Sequence, residues 1–352
     1  MHEEESDSLK DNLTYVAGWL LVFLSVTSLS THYAHADKID LASSTQFLWG
    51  EDLLDNNQIT LAQYLRFNFK PDKQKFSVTG YGRFISDLDS GSVRDNDLSG
   101  RLYYLYLNYA PKDTLSFNMG RQFVHFTAGS AVMDGISVEV RDIGPVGISF
   151  SGGADVNYSL VSDHSRLANF FTGIEVFLEK IAGTQLGASY VRKYDDWDLA
   201  RETFGVNARY YFKTVSPYTE IQYDRLSEAV NEAVIGVDIF PISFLALKTE
   251  YYHSYPVFDA TSIYSVFAVD KYEEILFRAD YSFEDTPLTI AASYTWQLYE
   301  NDDDAGVFTV GANYYPLSAL LINASVNYRD GYGGKLWGAW LLPSASLFEL
   351  GE

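Results

Sequence analysis

Cysteine is absent from the 352 residues. Disulfide scaffolds, thiol catalysis, Cys-ligated zinc, iron–sulfur clusters and c-type haem attachment are excluded with it, so no cofactor or metal of the chain's own is expected. A redox group would have to come from a partner. Basic residues are scarce: 25 Lys and Arg stand against 47 Asp and Glu, a formal net charge of −22. Nucleic acid is therefore excluded as a partner on electrostatic grounds. Long apolar runs are nearly missing too. A helical membrane span needs about 20 mostly apolar residues, and only Tyr15 to Leu29 approaches that. The chain is rich in aromatics instead, with 27 Tyr, 23 Phe and 6 Trp making up 16% of it.

The run from Tyr15 to Leu29 carries no charge and is followed by Ala34-His35-Ala36. An apolar stretch before a small-x-small site marks a secretory leader, so residues 1–36 are expected to be a signal peptide cut after Ala36, with Ala34 as the other recognition residue. Acids precede the run where bases belong, which suggests a start placed too early; a retained anchor is the alternative. Residues 37–352 then follow one pattern without a linker or a composition shift, and read as a single exported domain.

That pattern has a period of two. Phe76, Val78, Gly80, Gly82 and Phe84 alternate with Lys75, Ser77, Thr79, Tyr81 and Arg83. Phe204, Val206, Ala208 and Tyr210 alternate with Thr203, Asn207 and Arg209, and Ile275, Phe277, Ala279 and Tyr281 with Glu274, Arg278 and Asp280. Such alternation specifies strands with one apolar and one wet face. Their length, about 10 residues, exceeds the roughly 5 to 6 usual in globular sheets. Tight turns at Pro71, Pro111, Pro145, Pro217, Pro241, Pro287 and Pro316 fall on alternate connections. Between them lie mostly longer acidic stretches: 50–57, 86–97, 153–166, 194–199, 254–271 and 299–305.

Short turns at one end and longer loops at the other predict an all-β fold, a transmembrane antiparallel β-barrel. Lipid offers backbone groups no hydrogen-bond partner, so a sheet within it must close on itself. The count is about 18 strands, starting near residues 39, 58, 75, 98, 113, 133, 146, 168, 184, 201, 217, 229, 243, 272, 287, 305, 319 and 334, with 16 as the alternative. Tyr109, Tyr210, Tyr281, Tyr314 and Tyr328 are expected in an aromatic girdle beside the tight turns, and Trp49, Trp296 and Phe126 at the opposite ends.

Charges of both signs fall on the non-apolar face: Arg66, Lys70, Lys75, Arg83, Arg209, Lys213, Lys248, Arg278 and Arg329, with Glu139, Glu220, Asp224, Glu250 and Asp280. A lipid-facing Arg costs about 2–4 kcal/mol at the bilayer midplane, so this face must meet water. A barrel of 16 to 18 strands is wide enough to leave a channel. Passive diffusion of ions or small polar solutes is the expected function, in the bacterial outer membrane among its lipid and lipopolysaccharide. Within the connection 254–271 the apolar run Ile263, Tyr264, Val266 and Phe267 is a candidate constriction or docking element.

The run Met119-Gly120-Arg121-Gln122, a loop, then Met133-Asp134-Gly135-Ile136 resembles a strand–loop–strand hairpin of the bacterial outer-membrane porin superfamily. The resemblance implies the same barrel and a channel function. Tyr255 to Phe267 is similar to barrels that accompany multihaem cytochromes, which implies the alternative of a scaffold sheathing a cytochrome partner. A barrel hydrolase is the third reading. It needs a nucleophile, a base and an orienting group together, and after residue 36 only His125, His164 and His253 are present, with no complete constellation near them in sequence. The chain is thus expected not to be an enzyme. Gly80 and Gly82 are the one hint of a homo-oligomer contact.

Overall fold

The computed structural model describes residues 37–51, 57–71, 75–87, 98–158, 163–255, 271–317 and 320–345. The expected leader, with Ala34 and Ala36, and the segment bearing Ile263, Tyr264, Val266 and Phe267 lie outside the described residues. Eighteen strands belong to one sheet, which decides between the 18- and 16-strand readings. They are β1 (Asp37–Glu51), β2 (Asn57–Pro71), β3 (Phe76–Asp87), β4 (Leu98–Lys112), β5 (Leu115–Phe126), β6 (Gly129–Ile143), β7 (Val146–Tyr158), β8 (Asp163–Ile181), β9 (Thr184–Asp195), β10 (Asp198–Tyr210), β11 (Val215–Asp224), β12 (Ala229–Ile242), β13 (Leu245–Ser254), β14 (Tyr272–Ser282), β15 (Leu288–Tyr299), β16 (Ala305–Leu317), β17 (Leu320–Gly331) and β18 (Leu336–Ala345).

Two compact units can be described separately. Among the described residues, the first comprises those up to Val124 together with Ala131–Val140 and those between Ser151 and Leu167; in it β1 to β5 pair in chain order, each antiparallel to the next. The second comprises His125–Ser130, Arg141–Phe150 and the described residues from Ala168 onward, and there β8 to β18 pair in the same way.

The two faces are inverted relative to a water-soluble sheet. Phe204, Val206, Phe277, Trp296 and Phe308 stand out on the exposed face at 44–53% exposure, while the opposite face carries Arg209, Lys248, Arg278 and Arg329. Antiparallel sheets in water bury the apolar face instead. In the second unit Phe171, Val191 and Thr203 on β8 to β10 are fully buried.

Some connections differ from the sequence reading. The stretch 153–166 is mostly strand, because β7 continues to Tyr158 and β8 begins at Asp163. The connection at 194–199 is a two-residue turn: Asp196 and Trp197 both take positive φ, 50° and 70°. That pair of angles matches the right-handed twist of a hairpin. Lys213 lies in the turn between β10 and β11 and Lys75 just ahead of β3, so neither occupies a strand position as expected.

Candidate functional site

On the polar face of the second unit, register brings several expected residues together. Lys248 is opposite Arg278 on one side and Asp238 on the other. Left alone, two adjacent cations would repel. Each has its own acid: Lys248 Nζ is 2.8 Å from Glu250, and Arg278 forms a two-pronged pair with Asp280, both contacts 2.7 Å. Arg209 pairs with Asp238 at 3.7 Å and lies 4.5 Å over the ring of Tyr218, whose hydroxyl donates to Glu250. Lys248 approaches the same ring from 5.5 Å. Tyr218 is thus a shared spacer, taking cation–π contacts on its ring while its hydroxyl binds an acid.

Toward the other strand ends the network turns to amides and phenols. Glu232 accepts from Gln222 at 2.9 Å, and Arg329 donates to Tyr299 at 3.1 Å. Tyr272 donates to Glu274 and accepts from Gln297 at 3.0 Å. Glu220 opposes Asn207. Asp224 has a different role from the one expected of it: almost fully buried, it accepts from the Ser227 amide and hydroxyl at 2.8 and 3.0 Å and so closes the turn 225–228.

Against this face lies an element that the sequence reading missed, the tip of the β5–β6 hairpin. The Ala128 amide donates to Ser189 Oγ at 2.7 Å, and Asn207 Nδ2 donates to Thr127 Oγ1. Phe126 stacks on Phe171 with centroids 6.3 Å apart and planes within 6°. It therefore sits in the covered interior and not in an aromatic girdle. The tip rests on β8, β9 and β10. A signal existed in the small or apolar residues Gly173, Ser189, Val191 and Gly205 at positions that alternation reserves for polar side chains.

In the first unit Arg66 and Arg83 share the polar face with a run of tyrosines. Tyr64, Tyr81 and Tyr103 stack in sequence with centroids 6.3 and 4.9 Å apart, and Arg83 lies 5.9 Å over Tyr103. The hairpin motif gains a geometric meaning. Arg121 binds both oxygens of Asp134 at 2.8 and 2.9 Å, and Gln122 donates to the Gly135 carbonyl at 3.3 Å. Gly135 is required because a β-carbon there would lie 2.3 Å from the Gly152 carbonyl oxygen. Lys75 donates to the Pro111 carbonyl.

Asp134 is engaged by Arg121, which leaves it unlike an orienting acid for His125. His253 is on the apolar-side face, with Nδ1 3.4 Å from Glu273 and Nε2 3.1 Å from the Val230 carbonyl. Lys271, just outside β14, pairs with the same Glu273 at 2.6 Å, and this bond holds its pKa above the ordinary value. Tyr328, expected beside a tight turn, lies near the other end of β17 and donates to Asp330 at 3.1 Å. Among the described residues no group of three or more His, Cys, Asp or Glu is arranged to hold a metal ion.

No protein-family model and no curated protein matches the chain. Solved structures do match. OpdK, an outer membrane protein of Pseudomonas aeruginosa that has also been solved with vanillate, superposes with a TM-score of 0.57 at 12% identity, covering 88% of this chain and 98% of its own. OccD3 (OpdP) of the same organism gives 0.55 at 9% identity over 88% and 92%. OccK5 (OpdH), also from it, gives 0.53 at 12% over 88% and 98%. At these identities the likeness establishes the fold, that of bacterial outer-membrane porins.

Proposed function

We propose that this chain, which has the porin fold, is a water-filled channel of the bacterial outer membrane through which ions and small polar solutes diffuse. The observation that carries the reading is the two-faced sheet. One face exposes Phe204, Val206, Phe277 and Trp296, as lipid requires, and the other holds a mixed-charge network that only water tolerates. Arg209, Lys248, Glu250, Arg278 and Asp280 are the residues of that network taken to line the path, with Glu220 and Arg329 further along; in the first unit, taken by itself, Arg66 and Arg83 are the candidates for the same role. The tip at 125–130 narrows it. Because each of Arg209, Lys248 and Arg278 has an acid partner, solutes are filtered by size and by local charge pairs, without a covalent step.

The test is reconstitution of residues 37–352 into a planar bilayer. Discrete ohmic conductance steps are expected. A protein that migrates as a folded barrel on gels yet gives no steps would end the channel reading.

A further inference from the structure

The apolar face of the second unit is interrupted at one end by charge. Glu202 belongs to the series Glu202, Phe204, Val206 on β10, yet its side chain is 2% exposed and fully engaged. Its Oε1 accepts from Tyr190 and from Arg192 Nε and Nη2 at 3.1 and 2.8 Å; its Oε2 accepts from Arg225. Arg225 is fixed a second way, since its amide donates to the Glu202 carbonyl at 2.8 Å in the turn closed by Asp224. One carboxylate therefore clamps two guanidinium groups. The cluster keeps an excess positive charge, and the side chains of Arg192 and Arg225 remain 39% and 60% exposed.

The surroundings are one-sided. Along the same face run Phe204, Val206, Ile221 and Tyr223, all exposed. The cluster adjoins the turns 196–197 and 225–228, the strand ends opposite the tight proline turns. The pattern recurs at that same end and on that same face: Glu273 accepts from Tyr251 at 2.9 Å and from Lys271 at 2.6 Å, and Asp330 accepts from Tyr328 at 3.1 Å with Lys335 at 3.5 Å. Glu273 also lies 3.4 Å from His253 Nδ1. Of these three acids, Glu202 is the one that holds two guanidinium groups.

We propose that Arg192 and Arg225, held by Glu202, bind the phosphate of a phosphorylated lipid in the outer leaflet, whose acyl chains lie along Phe204, Val206 and Ile221. Guanidinium groups match phosphate oxygens with paired N–H donors. A cationic pocket at headgroup level above an apolar wall is complementary to such an amphiphile and to no water-soluble anion in particular. Glu202 acts as a positioning residue, since it touches only the arginines and Tyr190. The inference rests on the porin fold placing this face in lipid and not on conduction.

Native mass spectrometry of the folded protein in detergent tests it, with lipid A, a neutral diacylglycerolipid and inorganic phosphate as probes. The wild type is expected to retain lipid A and not the neutral lipid. Arg225→Gln should lower lipid A occupancy at least tenfold, Arg225→Lys should recover part of it, and single-channel conductance should be unchanged in both variants. Retention by Arg225→Gln equal to the wild type, with heat-modifiable gel migration intact, overturns the site. Displacement of lipid A by equimolar inorganic phosphate overturns the lipid assignment. Loss of conductance in the wild type bears on the channel alone.

Discussion

Gly205 carries no β-carbon, and the space one would fill belongs to the β5–β6 tip: the Ala128 amide nitrogen would be 2.3 Å away and the Thr127 carbonyl carbon 2.5 Å. Both are backbone atoms, so no rotamer relieves the clash. Gly205→Ala must push the tip off β10 at a cost of about 1–3 kcal/mol, the usual range for overpacking. Single-channel conductance should rise while circular dichroism and gel migration stay those of the wild type. Gly306 is the control, because a β-carbon there meets first the Tyr294 hydroxyl at 2.9 Å, the far end of a side chain on the exposed face. Gly306→Ala is expected to leave conductance alone. At this scale the sequence was informative about type but silent about partner. Arg121 and Asp134 stood out in a motif, yet nothing in their spacing said that they bind each other, and Glu202 sat unremarked in an apolar series because alternation has no term for a fully satisfied acid.

Strands were legible wherever one face meets water and the other does not. β10 and β14 were readable from their alternation alone, and so was β15, where Ile290 and Tyr294 alternate with Thr289 and Ser293. The reading weakened where both faces are covered. In β6, Ala131, Met133 and Ser137 are buried and the hairpin packs by its own backbone at Gly135, so the strand begins at Gly129, four residues before the apolar signal does. In β7, Gly152-Gly153 and Asp155 imitate a loop, but the chain stays extended because close backbone approach at Gly153, not side-chain chemistry, sets the contact. The tip is the element whose loss is easiest to measure. Besides the Phe126 stack, side-chain bonds from Ser189 and Asn207 hold it, and each hydrogen bond contributes about 0.5–1.5 kcal/mol net. Removing both in Ser189→Ala/Asn207→Ala shifts the tip's docking equilibrium by roughly 1–3 kcal/mol. Open-channel current noise should then increase, with brief excursions to a higher conductance level. A variant as quiet as the wild type would show that these two bonds do not hold the tip in place.

For the whole molecule, the net charge of −22 says little about which ions pass, since the polar faces mix signs while much of the acid falls in connections. What decides is how the path charge responds when one sign is removed. Carboxylates ordinarily titrate near pH 4, whereas Lys and Arg stay charged to about pH 10 and beyond. Lowering pH from 7 to below 4 therefore protonates carboxylates while lysine and arginine keep their charge, so a face that mixes both signs turns net positive. The reversal potential in asymmetric salt should move toward the anion limit as pH falls. Glu250→Gln/Asp280→Asn should bring part of that displacement forward to pH 7, because it unpairs Lys248 and Arg278, which face each other across β13 and β14. If neither acid pH nor the double variant moves the reversal potential, the charge ladder does not border the conducting path, and the ions travel past some other part of the sheet.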